Sequence, residues 1–191
     1  IRENVPKRSD WADLAEQAAP LLHQRGARLV EALGFKSKVG VGNTLLLSAS
    51  TDAPQAVAVL LDETEQFDTK SPRFQLTPVA FGLNVTSCLE VPWLLVLRKD
   101  QIRLYPGRDG VGVGQKGQTE TFFEVDLSTI DDKYSVFFFF FFFFFFLEKQ
   151  GTATELLEQS NRYATALGTR LRERIYDDVV PPLAKYVASQ L

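Results

Sequence analysis

Acidic side chains flank one predicted strand and could take part in metal chemistry. Asp52 precedes the strand at 55–61, and Asp62 and Glu63 follow directly at its end. Carboxylate oxygens are ligands that hard divalent cations prefer. The simpler interpretation is that these carboxylates, together with Glu65, lie at strand ends and in loops in contact with water.

A second charged group is basic and lies on and beside a predicted hairpin. Its members are Arg98, Lys99, Arg103 and Arg108. Cations placed in this way can contact DNA phosphates, which positions a protein on DNA without reading the base sequence. The alternative is a hairpin whose cations only face water, and both interpretations stay open.

Composition limits the class of protein. The 191 residues, 45% of them hydrophobic, suit one globular domain with a helical extension. The net charge of -3 does not by itself indicate a nucleic-acid partner. A single cysteine and a single histidine exclude a disulfide framework and any metal site built from several Cys or His ligands. A reducing compartment follows, and we expect a cytoplasmic protein.

The run of ten phenylalanines at 137–146 stands apart from the rest of the sequence. With its apolar neighbours it forms a block much shorter than the roughly 20 residues that span a bilayer, so no membrane segment is predicted. We interpret these letters as a segment whose side chains were never identified. An apolar element packed in the core is the structure that we expect there.

The elements that must position the charged groups can be predicted from periodicity. Residues 10–34 indicate a helix with one break, with Ser9 as its N-cap and Pro20 opening the second part. A further helix is predicted at 71–89, starting at Ser71 before Pro72. Strands are predicted at 44–49, 55–61, 93–97, 101–105 and 121–127. This order predicts an α/β or α+β fold with a mixed central sheet flanked by helices.

The C-terminal region predicts a long amphipathic helix. Thr152 and Glu155 form a capping box at its start, and Pro181 and Pro182 are expected to end it before a new helical segment. Its apolar stripe consists of Leu156, Tyr163, Leu167, Leu171, Ile175 and Val179. Such a stripe needs a partner surface. Because the last segment has no C-terminal cap and the chain starts at Ile1 without methionine, we expect a fragment of a larger protein.

Several phrases of the sequence resemble a known family. They are VPWLLVLRKDQIRLYP, then FFEVDLSTI, and then LLEQSNRYATALGTRLRERIYDDVVPPLA. Their order resembles the N-terminal region of bacterial type IIG restriction-modification enzymes and of the related phage-exclusion adenine-specific DNA methylases. The likeness covers the second half of the chain by wording and the first half by element order.

This resemblance implies a nuclease-like domain ahead of an S-adenosylmethionine-dependent adenine methyltransferase. It further implies a restriction-endonuclease-like fold of the PD-(D/E)XK type, in which one strand carries an acid and the next carries an acid-x-lysine triplet. Here the acids would be Asp52, Asp62 and Glu63, but the residues two positions after Asp62 and Glu63 are Thr64 and Glu65. The nearby acid-x-lysine is Asp68-Thr69-Lys70, which lies beyond the strand in a polar loop.

Three functions remain open. The first, which we favour, is a non-catalytic nuclease-like domain at 1–135 that supports DNA binding or the methyltransferase, joined by a helical connector at 136–191. It needs no cofactor of its own, whereas the parent protein would use S-adenosylmethionine. The second is an active Mg²⁺-dependent endonuclease using Asp52, Asp62, Glu63 and Lys70, with Asp52 and Asp62 as metal ligands. The third is a protein-interaction scaffold. Expected partners are DNA and an intramolecular methyltransferase domain.

Overall fold

The computed structural model describes residues 11–48, 53–108, 117–136 and 152–189. The chain divides into two compact units, Ile1–Lys149 and Gln150–Leu191. Val136 is buried within the first unit, although the sequence placed a boundary directly before it. Asp52 and the phenylalanine run lie outside the described residues.

A six-stranded mixed sheet forms the centre of the first unit. Its strands are β1 (Lys36–Val39), β2 (Leu45–Ser48), β3 (Ala56–Leu60), β4 (Trp93–Arg98), β5 (Gln101–Pro106) and β6 (Phe123–Asp126). They lie side by side in chain order. β3 and β4 are parallel, and every other neighbouring pair is antiparallel. The parallel pair requires a crossover connection, which contains the helix α3 (Pro78–Cys88). A short helix, α4 (Gly117–Glu120), lies between β5 and β6.

The central strands are apolar because both of their faces are buried. Val57 and Val59 of β3 join a core cluster that includes Val79 and Leu83 of α3. Ala56 and Ala58 alternate with these valines, so they point to the opposite face, where they are also fully buried. Strands of parallel pairs covered on both faces typically read as continuous hydrophobic runs. The predicted mixed sheet with flanking helices is therefore confirmed.

The N-terminal helices follow the predicted break. The helix α1 (Trp11–Ala18) leads into a 3₁₀ turn (Ala19–His23) and then into α2 (Gly26–Ala32). Pro20 stands in the first turn of the 3₁₀ segment, where its missing N–H group is tolerated. Gly34 has a φ of +89° just after α2, the left-handed conformation that commonly ends helices at glycine.

One predicted helix start is wrong, and one strand was not predicted. The helix predicted from Ser71 begins at Pro78, where the preceding Thr77 accepts a hydrogen bond from the Ala80 N–H at 3.1 Å. The Ser71 hydroxyl instead donates to the Glu65 carboxylate at 2.5 Å, which holds it in a turn. The strand β1 was not predicted, because its exposed KSKV sequence has no buried face to create a hydrophobic pattern.

The second unit is helical. The helix α5 (Thr152–Arg174) passes into a π-helical turn (Ile175–Val179) and then into α6 (Val180–Ala188). The predicted end at Pro181 and Pro182 is thus replaced by a π-turn, since prolines in the first turn of α6 need no N–H partner. In the described part of the chain, the helices all fall short of the length and apolar character needed to cross a membrane.

Candidate functional site

The candidate site is a cleft at the carboxyl ends of the parallel strands β3 and β4. In open α/β sheets, ligands bind preferentially outside the carboxyl ends of parallel strands. The cleft has a volume of about 530 Å³. It is lined by Arg25, Gly26, Leu60, Leu61, Asp62, Glu63, Leu97, Lys99 and Asp100. Asp62 and Glu63 come from the end of β3, and Lys99 and Asp100 form the turn between β4 and β5.

Lys99 is the most accessible cation of this cleft. It has a φ of +49°, which a two-residue hairpin turn often requires at its first position. Its Nζ lies 3.6 Å from the Glu63 carboxylate, with side-chain exposures of 52% and 83%. A pair so exposed contributes little to stability. Lys99 can therefore exchange Glu63 for another anion at low cost.

Arg25 is a second cation that lines the cleft. Its Nε donates to Oδ1 of Asp100 at 2.8 Å, and its Nη2 contacts the same oxygen. Nη1 donates to the backbone carbonyls of Leu22 and Gln24. Arg25 thus uses its donors to tie the N-terminal helices to the β4–β5 turn. The Asp100 carboxylate is ion-paired with Arg25 in this contact.

The loop after β3 is organised by Glu65. Its carboxylate accepts from the Asp62 N–H at 3.0 Å and forms an ion pair with Arg73 at 2.9 Å. Its backbone carbonyl accepts from Nε of Arg98 at 2.7 Å. Arg98, predicted as a DNA contact, therefore has at least one donor committed to the fold. Asp62 and Glu63 are held at the cleft by this network.

Arg103 lies in a half-buried cluster that does not line the cleft. Its side chain is only 16% exposed, and its guanidinium contacts Asp68 at 2.8 Å and Glu124 at 2.5 Å. The rings of Phe67 and Phe122 lie 4.1 and 4.4 Å from its Cζ. This is a satisfied cation between two aromatic rings, a geometry that favours a structural role over contact with DNA phosphates.

Titration of this cluster follows from its burial. Burial raises the pKa of Tyr105 to about 12, although the neighbouring Arg103 acts in the opposite direction. Burial alone lowers the pKa of Arg103, but its hydrogen bonds to Glu124, Tyr105 and Asp68 together raise that pKa above its ordinary value. Both side chains keep their usual charge states at neutral pH.

The structure brings together only some of the predicted residues. Asp62, Glu63 and Lys99 share the cleft, whereas Lys70 is exposed in the following loop and does not line it. Arg108 is exposed just beyond β5. Within the described ranges, no three Asp, Glu, His or Cys side chains form a group that could hold a metal ion.

Sequence reasoning missed Arg25 and Asp100. They are 75 positions apart, so no local spacing could have paired them. Comparison of the chain with protein-family models, with curated proteins and with solved structures finds no match. The geometry of the site and the resemblance of the sequence phrases are thus the grounds for a functional proposal.

Proposed function

We propose that the first unit is a nuclease-like domain without a cutting centre, which supports DNA binding in a restriction-modification methylase. The mixed sheet flanked by helices is compatible with the restriction-endonuclease-like architecture that the resemblance implies. The parent protein would supply the S-adenosylmethionine-dependent methyltransferase.

One observation carries the non-catalytic assignment. In the resembled nucleases, one strand carries an acid and the next carries an acid-x-lysine triplet, whose first and third residues share a face of the strand. β2 reads LLLS and β3 reads AVAVL. On β3, both alternating sets of residues are aliphatic and packed in the core. Neither strand carries the acids that would be the metal ligands or the lysine that would stabilise charge beside them, and aliphatic side chains cannot bind Mg²⁺.

The carboxylates that remain lie beyond the strand. Asp62 and Glu63 reach the cleft from the end of β3, and Glu63 already faces Lys99. Lys99 stands at the tip of the hairpin, where a long polyanion can approach it. We assign to Lys99 a contact with the DNA backbone, in which a phosphate replaces Glu63.

A binding assay tests this proposal. Fluorescence anisotropy of a labelled DNA duplex is titrated with the chain in EDTA over a range of salt concentrations. Lys99→Glu should weaken binding. It should also make the fall of log K with log salt shallower by about one unit of slope, since one phosphate contact is lost. Lys70→Glu makes the same charge change outside the cleft and serves as the matched control. Equal binding by the wild type and Lys99→Glu would show that Lys99 does not contact the DNA backbone.

The active-endonuclease alternative has a separate readout. Plasmid DNA is incubated with the chain and Mg²⁺, and cleavage products are followed by gel electrophoresis. We expect no cleavage above the EDTA control. Mg²⁺-dependent cleavage that disappears in Asp62→Ala would establish a working nuclease and overturn the non-catalytic assignment.

A second candidate function, protein binding, is favoured by the exposed stripe of the second unit. Tyr163, Leu167, Leu171 and Ile175 are all exposed at successive positions four residues apart. The π-turn then adds about one residue to the helical register, a rotation of about 100°. This rotation brings the exposed Val179, Leu183 and Tyr186 back towards the same side of the helix. An apolar stripe continued across a register change is typical of a docking surface.

The partner implied by the resemblance is the methyltransferase domain of the same protein. Sedimentation of the chain with that domain, expressed separately, should show a complex. Leu167→Glu/Leu171→Glu should abolish the complex, whereas Thr165→Glu/Thr169→Glu, on the other side of α5, should retain it. A complex insensitive to the leucine changes would exclude the stripe as the docking surface.

A further inference from the structure

The edge strand β1 presents two lysines on one face of the sheet. Lys36 pairs with Ser48, and Lys38 pairs with Leu46. Leu46 in turn pairs with Val57, which belongs to the core cluster under α3. Since paired residues of neighbouring strands share a face, both lysines lie on the α3 face of the sheet. Their Cα atoms are about 6.6 Å apart, two residues along a strand.

These lysines line a cleft of their own. It has a volume of about 390 Å³ and is lined by Lys36, Ser37, Lys38, Leu46, Ser48 and Pro54. Among the described residues, the lining combines two ammonium groups and serine hydroxyls with the apolar side chains of Leu46 and Pro54, and it includes no carboxylate. All of its charged groups are hydrogen-bond donors without an acceptor, so the cleft favours an anion.

The structure gives the two ammonium groups no ion-pair partner among the residues that it describes. Among the described residues, neither Lys36 nor Lys38 has a carboxylate within 4.0 Å. In contrast, Arg25, Arg73 and Arg103 each have an acidic partner. A lysine pair without acids can accept an external anion with no internal ion pair to break.

An unpaired amide lies next to this cleft. Continuing the β2–β3 register by one residue beyond Leu47–Ala56 places Gln55 opposite Ser48. The side-chain Oε1 of Gln55 is buried and has no hydrogen-bond partner. Buried amides are nearly always hydrogen-bonded in folded proteins, so an orphaned one marks a place where a further group completes the network.

We propose that β1 and β2 form a phosphate-binding site, through which the first unit holds the backbone of DNA at a second point besides Lys99. This inference rests on the proposed function and extends it to residues outside the β3–β4 cleft. A phosphodiester offers several acceptor oxygens and one negative charge, which match the ammonium groups of Lys36 and Lys38 and the Ser48 hydroxyl. Because the site lies at a sheet edge with both lysines exposed, the backbone of a DNA strand can pass along it. Contacts of this kind are independent of base sequence.

Edge protection is the competing explanation for these lysines. Charged side chains on an edge strand prevent pairing with other chains. Replacement by glutamate separates the two roles, because Lys36→Glu/Lys38→Glu keeps charge on the edge but repels phosphate. Arg28→Glu/Lys70→Glu changes two exposed cations elsewhere in the first unit and gives the same change in net charge.

The test combines duplex binding with chemical shifts. In the anisotropy assay, Lys36→Glu/Lys38→Glu should make the fall of log K with log salt shallower by about two units of slope. The matched control should keep the wild-type slope. Inorganic phosphate, titrated by ¹H–¹⁵N NMR, should shift the amides of 36–39 and 45–48 in the wild type and not in the double variant. Lys36→Gln/Lys38→Gln provides a second variant if the glutamate version does not fold.

The outcomes separate the two proposals. The wild type, Lys36→Glu/Lys38→Glu and Lys36→Gln/Lys38→Gln could bind the duplex with equal affinity and equal salt dependence. That result would overturn the β1–β2 site and leave the proposed function intact. Phosphate shifts at β1–β2 without any duplex binding would overturn the DNA assignment, and with it the proposed function. A duplex that shifts the amides of β1–β2, with loss of affinity in the lysine variants, supports both.

Discussion

At the scale of single residues, Arg103 shows how a cation of a strand can be committed to contacts within the fold. Its guanidinium is held by two carboxylates and stacked between two aromatic rings, with 16% of the side chain exposed. Arginine suits this place because its planar fork satisfies both acids while its faces contact the rings. Arg98 ties the loop after β3 to the sheet by donating to the Glu65 carbonyl, and Arg25 ties the N-terminal helices to the β4–β5 turn by donating to the Asp100 carboxylate.

Removal of Arg103 should therefore affect stability. Arg103→Ala leaves Asp68 and Glu124 without their cation and opens space between the rings, which we expect to cost about 2 kcal/mol, between the values for exposed and buried ion pairs. Urea unfolding followed by circular dichroism measures this loss. Arg28→Ala, an exposed control on α2, should change the free energy of unfolding by less than about 0.5 kcal/mol. Similar effects of the two changes would show that the cluster is not stabilising.

The buried Tyr105 predicts a dependence of stability on alkaline pH. Its pKa is raised to about 12 in the folded chain, above the value of about 10 in an unfolded chain. The unfolded state therefore loses this proton first as pH rises, so its stabilising contribution is complete below about pH 10 and is lost towards pH 12. Unfolding free energies measured across this range should fall less steeply in Tyr105→Phe. If the free energy of unfolding of Tyr105→Phe falls with pH as steeply as that of the wild type, groups other than Tyr105 cause the loss of stability.

At the scale of elements, α3 approaches the sheet closely because of one glycine. A Cβ on Gly82 would lie 2.5 Å from a methyl carbon of Leu94 and 3.1 Å from Val59. The side chains of β3 and β4 thus occupy the space that a larger residue would need. This close packing places α3, which is apolar over most of its surface, directly against β3 and β4.

A substitution at Gly82 tests this packing. Gly82→Ala should destabilise the chain by about 1 kcal/mol, because overpacking outweighs the gain in helix propensity. Thermal unfolding of a double-mutant cycle with Leu94→Ala provides the measurement. In the Leu94→Ala background, Gly82→Ala should become neutral or stabilising, since the opposing methyl groups are gone. An unchanged penalty in that background would place the strain elsewhere.

At the scale of the whole molecule, the core belongs to the first unit. All the buried hydrophobic side chains of the described residues lie between Ala18 and Val136. The described side chains of α5, the π-turn and α6 are exposed. Stability of the sheet should thus depend on residues before 150.

A truncated chain of residues 1–149 should therefore fold. We expect its thermal midpoint, measured by circular dichroism, to equal that of the sheet transition in the complete chain within about 2 °C, a shift corresponding to less than about 1 kcal/mol. The chain with Leu167→Glu/Leu171→Glu is the matched control, because it alters the second unit without removing it. A truncated chain that aggregates or lacks a cooperative transition would contradict an independent first unit.

Local sequence determined much of this fold. The alternation and apolar runs of β3, β4 and β5 predicted strands, and Pro20 and Gly34 predicted the break and end of the first helical region, because these signals act within a few residues. The long helix of the second unit was predicted for the same reason. The start at Ser71 was wrong because Ser-Pro and Thr-Pro both resemble helix starts, and the contact of Ser71 with Glu65 selects the second.

Tertiary structure alone decided which charged residues meet. Asp62, Glu63 and Lys99 share a cleft because the parallel pairing of β3 and β4 places the ends of both strands at one edge of the sheet. Arg103 is held by acids and rings from two separate segments, 67–68 and 122–124. The pairing of β1 with β2 put Lys36 and Lys38 beside Ser48. Residue types and spacing predict what a segment forms, but long-range pairing sets which side chains can act together.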